Sequence, residues 1–281
     1  MRTTVLCLLA AASLALILPR RSHARASPQP RTSKPRQNPR AFQWRYRRLK
    51  RTIENQRLAL AKAHQAANTP AARAEVRRRA WKRLIWLVDR RLFPFWYTTR
   101  WTIRGSTRRP RMGSIACGTF VSTILAHAGF RVERDKLGAQ NSPQLMKTLT
   151  TKKHMKLMWR WSIGRFVRRL RKMGSGLYIV GLDTHVGFLL VTWGRVYFVH
   201  SSYGTPAVVL KERALKSPIL ASSRYRLVAR ISHDDALIRK WLRGDRLPTW
   251  RSPKNRGARL TRAQPPEMVM KTRRSRGPAA H

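Results

Sequence analysis

Cys117 is the residue of this chain best placed for covalent chemistry. It stands at the start of a stretch in which apolar residues recur at helical spacing through 120–125, so the thiol is predicted in the first turn of a helix. Unpaired backbone N–H groups and the positive end of the helix dipole favour a thiolate there. The N–H groups from Gly118 onward are placed to hold an oxyanion, and a glycine at 118 leaves room for a substrate backbone.

A β-hairpin is predicted to supply the base. Its strands are the runs 185–192 and 195–200, and a symmetric register places Gly187 opposite His200. His185 and His200 then lie on one face, one diagonal step apart. A His that is oriented by a third polar group and faces a Cys on a helix N-terminus is the arrangement that nucleophilic acyl transfer requires. We therefore expect His185 to activate Cys117 and His200 to orient His185.

Two alternatives to this assignment are compatible with the sequence. Asp183 shares the strand alternation of His185, so it could take the third position or contact substrate. Cys117 could also be a buried, inert thiol, because free cysteine packs like a small apolar residue. Metal-ligand spacing is not seen around Cys117, so neither a metal nor another cofactor is expected.

Composition divides the chain into five segments. An apolar run from Thr3 to Leu18 precedes a small-residue pattern that ends at Ala26, which is typical of a cleaved signal peptide, with an uncleaved anchor as the alternative. Cleavage would remove Cys7, leave Cys117 as the only thiol and leave no membrane span. The segments are the signal peptide 1–26, a disordered basic lead 27–41, a basic helical hairpin 42–93, the main domain 94–245 and a disordered basic tail 246–281.

The charge of the chain is strongly positive, with 61 Lys and Arg against 11 Asp and Glu and a formal net charge of +50. A chain this basic is expected to bind anionic polymers, and its basic ends are the segments most suited to do so. The alternative is that a GC-rich genome produced the arginine bias without selection for binding.

The main domain is predicted to be α+β. Helical patterns come first and short apolar runs follow, which favours an antiparallel sheet. Helices are predicted at 116–128, 143–150, 163–173 and 234–243, and five strands at 177–182, 185–192, 195–200, 207–210 and 225–231.

These pieces resemble the NlpC-type bacterial cell-wall cysteine peptidases, which have a papain-like fold. The family's Cys-led helix is matched by 117–121 (CGTFV), its His-Val-Gly strand by 185–188 (HVGF) and its second His by 199–202 (VHSS). The resemblance covers about residues 96–243. It implies a nucleophile helix packed on a five-stranded antiparallel sheet.

The resemblance also implies an activity. It is hydrolysis of an amide bond in peptidoglycan stem peptides, near D-glutamate and a diamino acid, by a periplasmic or secreted enzyme. Ala116 replaces the Asp that commonly precedes the nucleophile. Trp101 stands where a family Tyr helps to bind the oxyanion or substrate, and an indole N–H can donate but cannot accept. Both departures leave the substrate open.

Two other functions are compatible with the sequence. One is a secreted polyanion-binding protein whose papain-like domain is an inactive scaffold. The other keeps Cys117 and His185 but makes the reaction acyl transfer or deamidation of a protein target.

Overall fold

A computed structural model describes residues 38–250 of the chain. The predicted signal peptide, the lead up to residue 37 and the tail from residue 251 lie outside the described residues. Within 38–250, none of the helices combines the length and apolar character needed to cross a membrane.

The helices follow the capping signals of the sequence. The side chain of Thr69 accepts a hydrogen bond from the backbone N–H of Ala72, and that of Ser162 accepts one from Arg165. Both residues therefore cap the helices that follow them, as the sequence predicted. The helices are α1 Pro39–Ala66, α2 Pro70–Leu87, α3 Phe93–Trp96, α4 Cys117–His127, α5 Arg134–Gly138, α6 Ser142–Leu149, α7 Ile163–Met173, α8 Pro218–Ser222 and α9 Asp235–Arg243, and a π-helical turn Val88–Leu92 joins α2 to α3.

The described residues form a mixed α+β fold. Its strands are β1 Arg131–Val132, β2 Met155–Leu157, β3 Gly176–Gly181, β4 Val186–Thr192, β5 Arg195–Ser201, β6 Val209–Arg213, β7 Leu227–Arg230 and β8 Arg246–Leu247. Six of these strands form an antiparallel sheet in the order β2-β7-β3-β4-β5-β6.

The prediction of five strands was wrong by one, because β2 forms the sixth strand at the edge of the sheet. It has three residues, Met155–Leu157, pairs only with β7, and leaves Leu157 exposed. A strand this short, preceded by lysines and a histidine, has no alternation that sequence reading could detect.

The folded region also extends beyond the predicted hairpin and main domain. Helix α1 begins at Pro39, inside the segment predicted as a disordered lead. Strand β8 lies in the predicted tail, where it pairs in parallel with β1 and buries Leu247. Neither end has a detectable apolar pattern, because residues 39–41 are exposed and Leu247 is a single buried residue among exposed and half-buried ones.

Both faces of the sheet are covered. Leu177 and Ile179 of β3 pack in the cluster that contains α4, α2 and α9, whereas Tyr178 and Val180 face the cluster built around α7. Helix α4 contacts β4 and β5, so its first residue is brought to the sheet end where β4 begins.

The helical hairpin is fastened to α9 by a buried arginine. Arg57 is 3% exposed and donates hydrogen bonds to the carbonyl oxygens of Trp241 and Leu242 at 3.1 and 2.8 Å. These carbonyls lie in the last turn of α9, where a cation also meets the negative end of the helix dipole. Glu54 pairs with the same guanidinium at 2.6 Å, so the buried charge is compensated.

Candidate active site

Cys117 and His185 line the same cavity, which has a volume of about 890 Å³. Cys117 is the first residue of α4, and Ala116 before it is extended and provides no side-chain cap. The thiol is half-buried. Gly118 and Asp183 also line this cavity, so four of the six predicted site residues meet there.

The surroundings of the sulfur favour a protonated thiol. Burial raises the pKa of Cys117, although backbone hydrogen bonds from Val186, Gly118 and Cys117 itself act in the opposite direction. The helix N-terminus was expected to favour the thiolate, and desolvation outweighs that effect. The hydrogen bond from Val186 also ties the sulfur to the residue that follows His185.

The two predicted histidines form a hydrogen-bonded chain that ends on a carboxylate. His185 Nε2 lies 2.9 Å from His200 Nδ1, and His200 Nε2 lies 3.1 Å from Glu212 Oε1. Both imidazoles are buried and their planes are nearly perpendicular, with ring centroids 5.0 Å apart. Glu212 therefore adds a third member to the predicted hydrogen-bonded pair of His185 and His200.

Glu212 fixes the proton positions along this chain. Burial raises the pKa of Glu212, but hydrogen bonds from His200 and Ser217 outweigh it and lower the pKa, so the carboxylate is ionised. An ionised carboxylate only accepts, so His200 must carry its proton on Nε2. Neutral His200 then accepts at Nδ1, which places the proton of His185 on Nε2 and leaves its Nδ1 as a basic lone pair.

Both histidines are held neutral. Burial, and then the neighbouring His200, lowers the pKa of His185 to about 3. Burial also lowers the pKa of His200, against the opposing effect of Glu212. His185 Nδ1 is buried and has no hydrogen-bond partner among the described residues. The bond between thiol and imidazole is therefore not made in the resting site, as is common before substrate binds.

The register of the hairpin explains why this geometry was predictable. Strands β4 and β5 pair Val191 with Val196 and Leu189 with Phe198, which confirms the symmetric register. A Cβ on Gly187 would lie 2.6 Å from the Phe198 ring and 2.8 Å from His200 Cβ. Glycine is therefore required at 187, because a side chain there would displace the imidazole.

Gly118 has a packing role that the sequence did not reveal. A Cβ at this position would lie 2.3 Å from the carbonyl oxygen of Gly138, and a Cβ on Gly138 would meet Ser122 Oγ at 2.8 Å. The Cβ side of Gly118 is thus filled by α5, while Gly118 also lines the cavity. Its N–H still reaches the Cys117 sulfur.

Asp183 lies in the cavity but is not bonded to the histidines. Its carboxylate accepts from Ser223 Oγ at 2.7 Å and from the backbone N–H groups of Arg224 and Tyr225 at 2.8 and 3.1 Å. Burial raises the pKa of Asp183, and these hydrogen bonds outweigh it and lower the pKa. The partner of His185 is His200, so Asp183 organises the loop before β7.

Trp101 is linked to His185 through the ring of Tyr203. Its ring lies 6.1 Å from that of Tyr203, which lies 5.2 Å from the imidazole of His185 in an edge-on contact. Trp101 is not among the residues that line the cavity of Cys117. A tyrosine ring is thus present near the base, supplied by the loop after β5.

Sequence reasoning missed Glu212 and Tyr203. The predicted strand ended at residue 210, whereas β6 extends to Arg213 and pairs Glu212 with Phe198. An acidic residue in a chain with so few of them was the signal available at 212. Trp159 and Tyr225 were also missed; their rings lie 6.4 Å apart in the wall of the cavity.

A cysteine and an oriented histidine that line one cavity are the residue types that nucleophilic acyl transfer uses. Among residues 38–250, no group of three or more His, Cys, Asp or Glu side chains is arranged to hold a metal ion. No protein-family model matches the chain, and neither does a curated protein or a solved structure. The geometry and hydrogen bonding of the site are therefore the basis for assigning a reaction.

Proposed function

We propose that the protein is an exported cysteine hydrolase with a papain-like fold, and that it cleaves an amide bond in peptidoglycan stem peptides. The observation that carries this proposal is the lone pair on His185 Nδ1. Its direction is fixed by His200 and Glu212, it has no hydrogen-bond partner among the described residues, and His185 and Cys117 line the same cavity. A thiol beside an oriented, neutral imidazole is the pair that acyl transfer needs.

The first half of the reaction forms a thioester. As Cys117 Sγ attacks the amide carbon, its proton passes to His185 Nδ1 and the carbonyl electron pair moves to oxygen. Backbone N–H groups at the start of α4 stabilise this oxyanion. Collapse of the tetrahedral intermediate breaks the C–N bond, and His185 returns the proton to the leaving amine.

The second half releases the acid. Water attacks the thioester carbon while His185 Nδ1 takes one of its protons. The new intermediate expels the Cys117 sulfur, which recovers the proton from His185. In both halves the positive charge that develops on His185 is stabilised through neutral His200 by ionised Glu212, because their hydrogen bonds form one chain.

The substrate class rests on the resemblance and on the cavity. Its volume of about 890 Å³ is large enough for a ligand of the size of a short peptide segment. Trp159 and Tyr225 provide an aromatic wall. The signal peptide predicted at 1–26 would deliver the enzyme to the periplasm or outside the cell, where stem peptides occur.

The test is digestion of purified muropeptides by the mature protein, with Cys117→Ala as the variant. Wild type is expected to release new amino groups and fragments that mass spectrometry assigns to one amide bond. Cys117→Ala should lose turnover by at least about 10³-fold and keep its unfolding midpoint, because the change removes little volume. Unchanged turnover in that variant would contradict the proposal.

A second candidate function is polyanion binding, and one cluster favours it. A hollow of about 340 Å³ is lined by basic side chains from the 3-10 turn Lys152–His154, β2, α7 and β7. None of its Lys and Arg side chains forms an ion pair within the described part of the chain, so an anion would relieve their mutual repulsion. The side chains are Lys153, His154, Lys156, Arg169, Lys172 and Arg230.

Retention of the protein on heparin tests this second function. Reversing the charge of Arg169 and Lys172 should lower the salt concentration needed for elution, whereas Cys117→Ala should leave it unchanged. The two variants therefore test hydrolysis and polyanion binding independently of each other. If the reversed variant elutes with wild type, the cluster has no role in binding.

A further inference from the structure

The tip of the β4–β5 hairpin carries an exposed tryptophan in a strained position. Trp193 and Gly194 form the two-residue turn, with φ of +48° and +69°. Turns with positive φ at both positions favour Asn-Gly, because a bulky side chain is strained there. Trp193 nevertheless occupies the first position and is 89% exposed. Neither the fold nor the proposed catalysis accounts for an indole held in water at this point.

A second exposed tryptophan lies beside the first. Trp86 of α2 is 41% exposed, and both Trp86 and Trp193 line a cavity of about 790 Å³ between α2 and the ends of β3 and β4. The remaining apolar wall of this cavity is formed by Trp81, Ile85, Leu190 and Val191. The cavity lies at the end of β4 opposite to His185, so it is separate from the catalytic cavity.

The rim of this cavity is basic. Arg78, Lys82 and Arg90 line it, and the Arg83 guanidinium lies 4.5 Å from the centroid of the Trp86 ring. Two acidic residues also line the cavity, and each is compensated. Asp89 pairs with Lys211 at 2.6 Å, and Asp235 pairs with Arg77 at 3.1 Å. Arg78 pairs with Glu75 and Arg90 with Asp89. Lys82 and Arg83 form no ion pair within residues 38–250, so the surface is apolar at its centre with these two cations beside it.

We propose that this end of the molecule, formed by Trp193, Trp86 and the rim of α2, docks on a lipid bilayer that carries anionic headgroups. Tryptophan rings bind preferentially at the level of the headgroups, and Lys and Arg beside them attract anionic lipids. Both indoles line one cavity, and its apolar wall offers a surface that lipid acyl chains can contact. None of this requires a helix that crosses the membrane.

The apolar features favour a bilayer over a nucleic acid or another soluble polyanion. A polyanion needs cations alone, which the hollow near α7 provides without exposed tryptophan. At the hairpin tip, by contrast, the most exposed group is an indole and the cavity wall is mostly apolar. We therefore assign bilayer docking to this end and make soluble polyanion binding an outcome of the test.

The test is co-sedimentation of the mature protein with vesicles of phosphatidylcholine, alone or with about a third phosphatidylglycerol. Wild type is expected to bind the anionic vesicles and to be released as salt rises above about 0.1 M. Trp193→Asn should weaken binding by about tenfold. Because Asn suits positive φ, this variant should unfold at the same temperature as wild type or higher, which excludes misfolding as the cause.

Two matched controls locate the effect. Trp44 is 47% exposed on α1 with Arg48 stacked 5.4 Å from its ring, and it does not line the cavity, so Trp44→Gln should bind as wild type. Lys82→Glu should weaken binding about fivefold or more, whereas the same change of charge at exposed Arg104, in the loop before Cys117, should have little effect.

Several results would overturn the proposal. They are wild-type binding by Trp193→Asn, equal losses in Trp193→Asn and Trp44→Gln, and equal binding to neutral and anionic vesicles. If Trp193→Asn reduced binding to double-stranded DNA as much as binding to vesicles, the tip would be a polyanion site instead. Muropeptide hydrolysis by Trp193→Asn should match wild type, so docking and catalysis are judged separately.

Discussion

Burial lowers the pKa of two histidines, His185 and His127, to about 3, yet the two imidazoles use their Nδ1 atoms differently. His127 Nδ1 lies 2.7 Å from the hydroxyl of Tyr46, and that hydroxyl oxygen accepts from the Trp96 indole at 2.6 Å. Burial raises the pKa of Tyr46, so its hydroxyl stays protonated and donates to His127. His185 Nδ1 has no such donor in the described part of the chain.

The difference teaches that a perturbed pKa does not by itself identify a reactive imidazole. Desolvation acts equally on a histidine that holds helices together and on one that accepts a proton. What separates them is the hydrogen-bond network. The Nδ1 lone pair of His127 accepts a hydrogen bond from Tyr46. His200 instead fixes the opposite nitrogen of His185, whose Nδ1 lone pair has no partner among the described residues.

Exchanging each histidine for glutamine is the strongest test of this comparison. His185→Gln should lower kcat for muropeptide hydrolysis by about 10³-fold, because the proton acceptor is lost. His127→Gln should keep kcat within about threefold and lower the free energy of unfolding by about 1 kcal/mol. Steady-state kinetics and urea unfolding of both variants measure these effects. A fall in kcat of similar size in both variants would remove the distinction.

The orienting role of Glu212 can be separated from that of Asp183. Glu212→Gln should reduce kcat by about 10-fold to 100-fold with little change in KM, because the charge that stabilises protonated His185 is lost. Asp183→Asn should change kcat little and weaken the loop that its carboxylate caps, by about 1 kcal/mol. If Asp183→Asn lost more activity than Glu212→Gln, the third group would have to be reassigned.

Acid should destabilise the protein through the histidines whose pKa burial lowers, which include His185, His127 and His200. The unfolded chain binds protons on the imidazoles of His185 and His127 below about pH 6.5, and the folded protein does so only near pH 3. Stability is therefore complete above about pH 6.5 and falls by up to ~1.4 kcal/mol per pH unit per group as the pH drops toward 3. Urea titrations from pH 7 to 4 measure this slope. Either glutamine variant should flatten it.

Alkylation of Cys117 gives the smallest expected effect. Because burial raises its pKa, the thiol should react slowly with iodoacetamide at pH 7 and faster only above the free-thiol pKa of about 8.5. His127→Gln should leave this profile unchanged. A fast reaction at pH 6 in wild type would show that Cys117 and His185 rest as an ion pair rather than as a neutral pair.

Local patterns accounted for most of the elements around the site. The hairpin register followed from alternation and a short turn, and it placed His185 and His200 on one face because the side-chain period of a strand is two. The start of α4 at Cys117 followed from helical spacing of the apolar residues after it. These features depend on residues close together in sequence.

The remaining features depend on contacts between distant segments. Glu212 reaches His200 because β6 pairs beside β5, and Gly138 reaches Gly118 because α5 packs on α4. Desolvation of Cys117 likewise depends on everything packed around the sulfur. Sequence spacing carries no information on such contacts, which is why the predicted thiolate preference differs from the structure and the packing of Gly118 on Gly138 was missed.

The contact between Gly118 and Gly138 suggests how to recognise a common ancestry when overall similarity has faded. Neither glycine can gain a methyl group unless the other helix moves, so each position constrains the other sterically. A distant homologue that keeps this site should therefore retain Cys-Gly at the helix start together with a glycine in the next helix. Such a pair of linked positions would mark the lineage even where catalytic details have diverged.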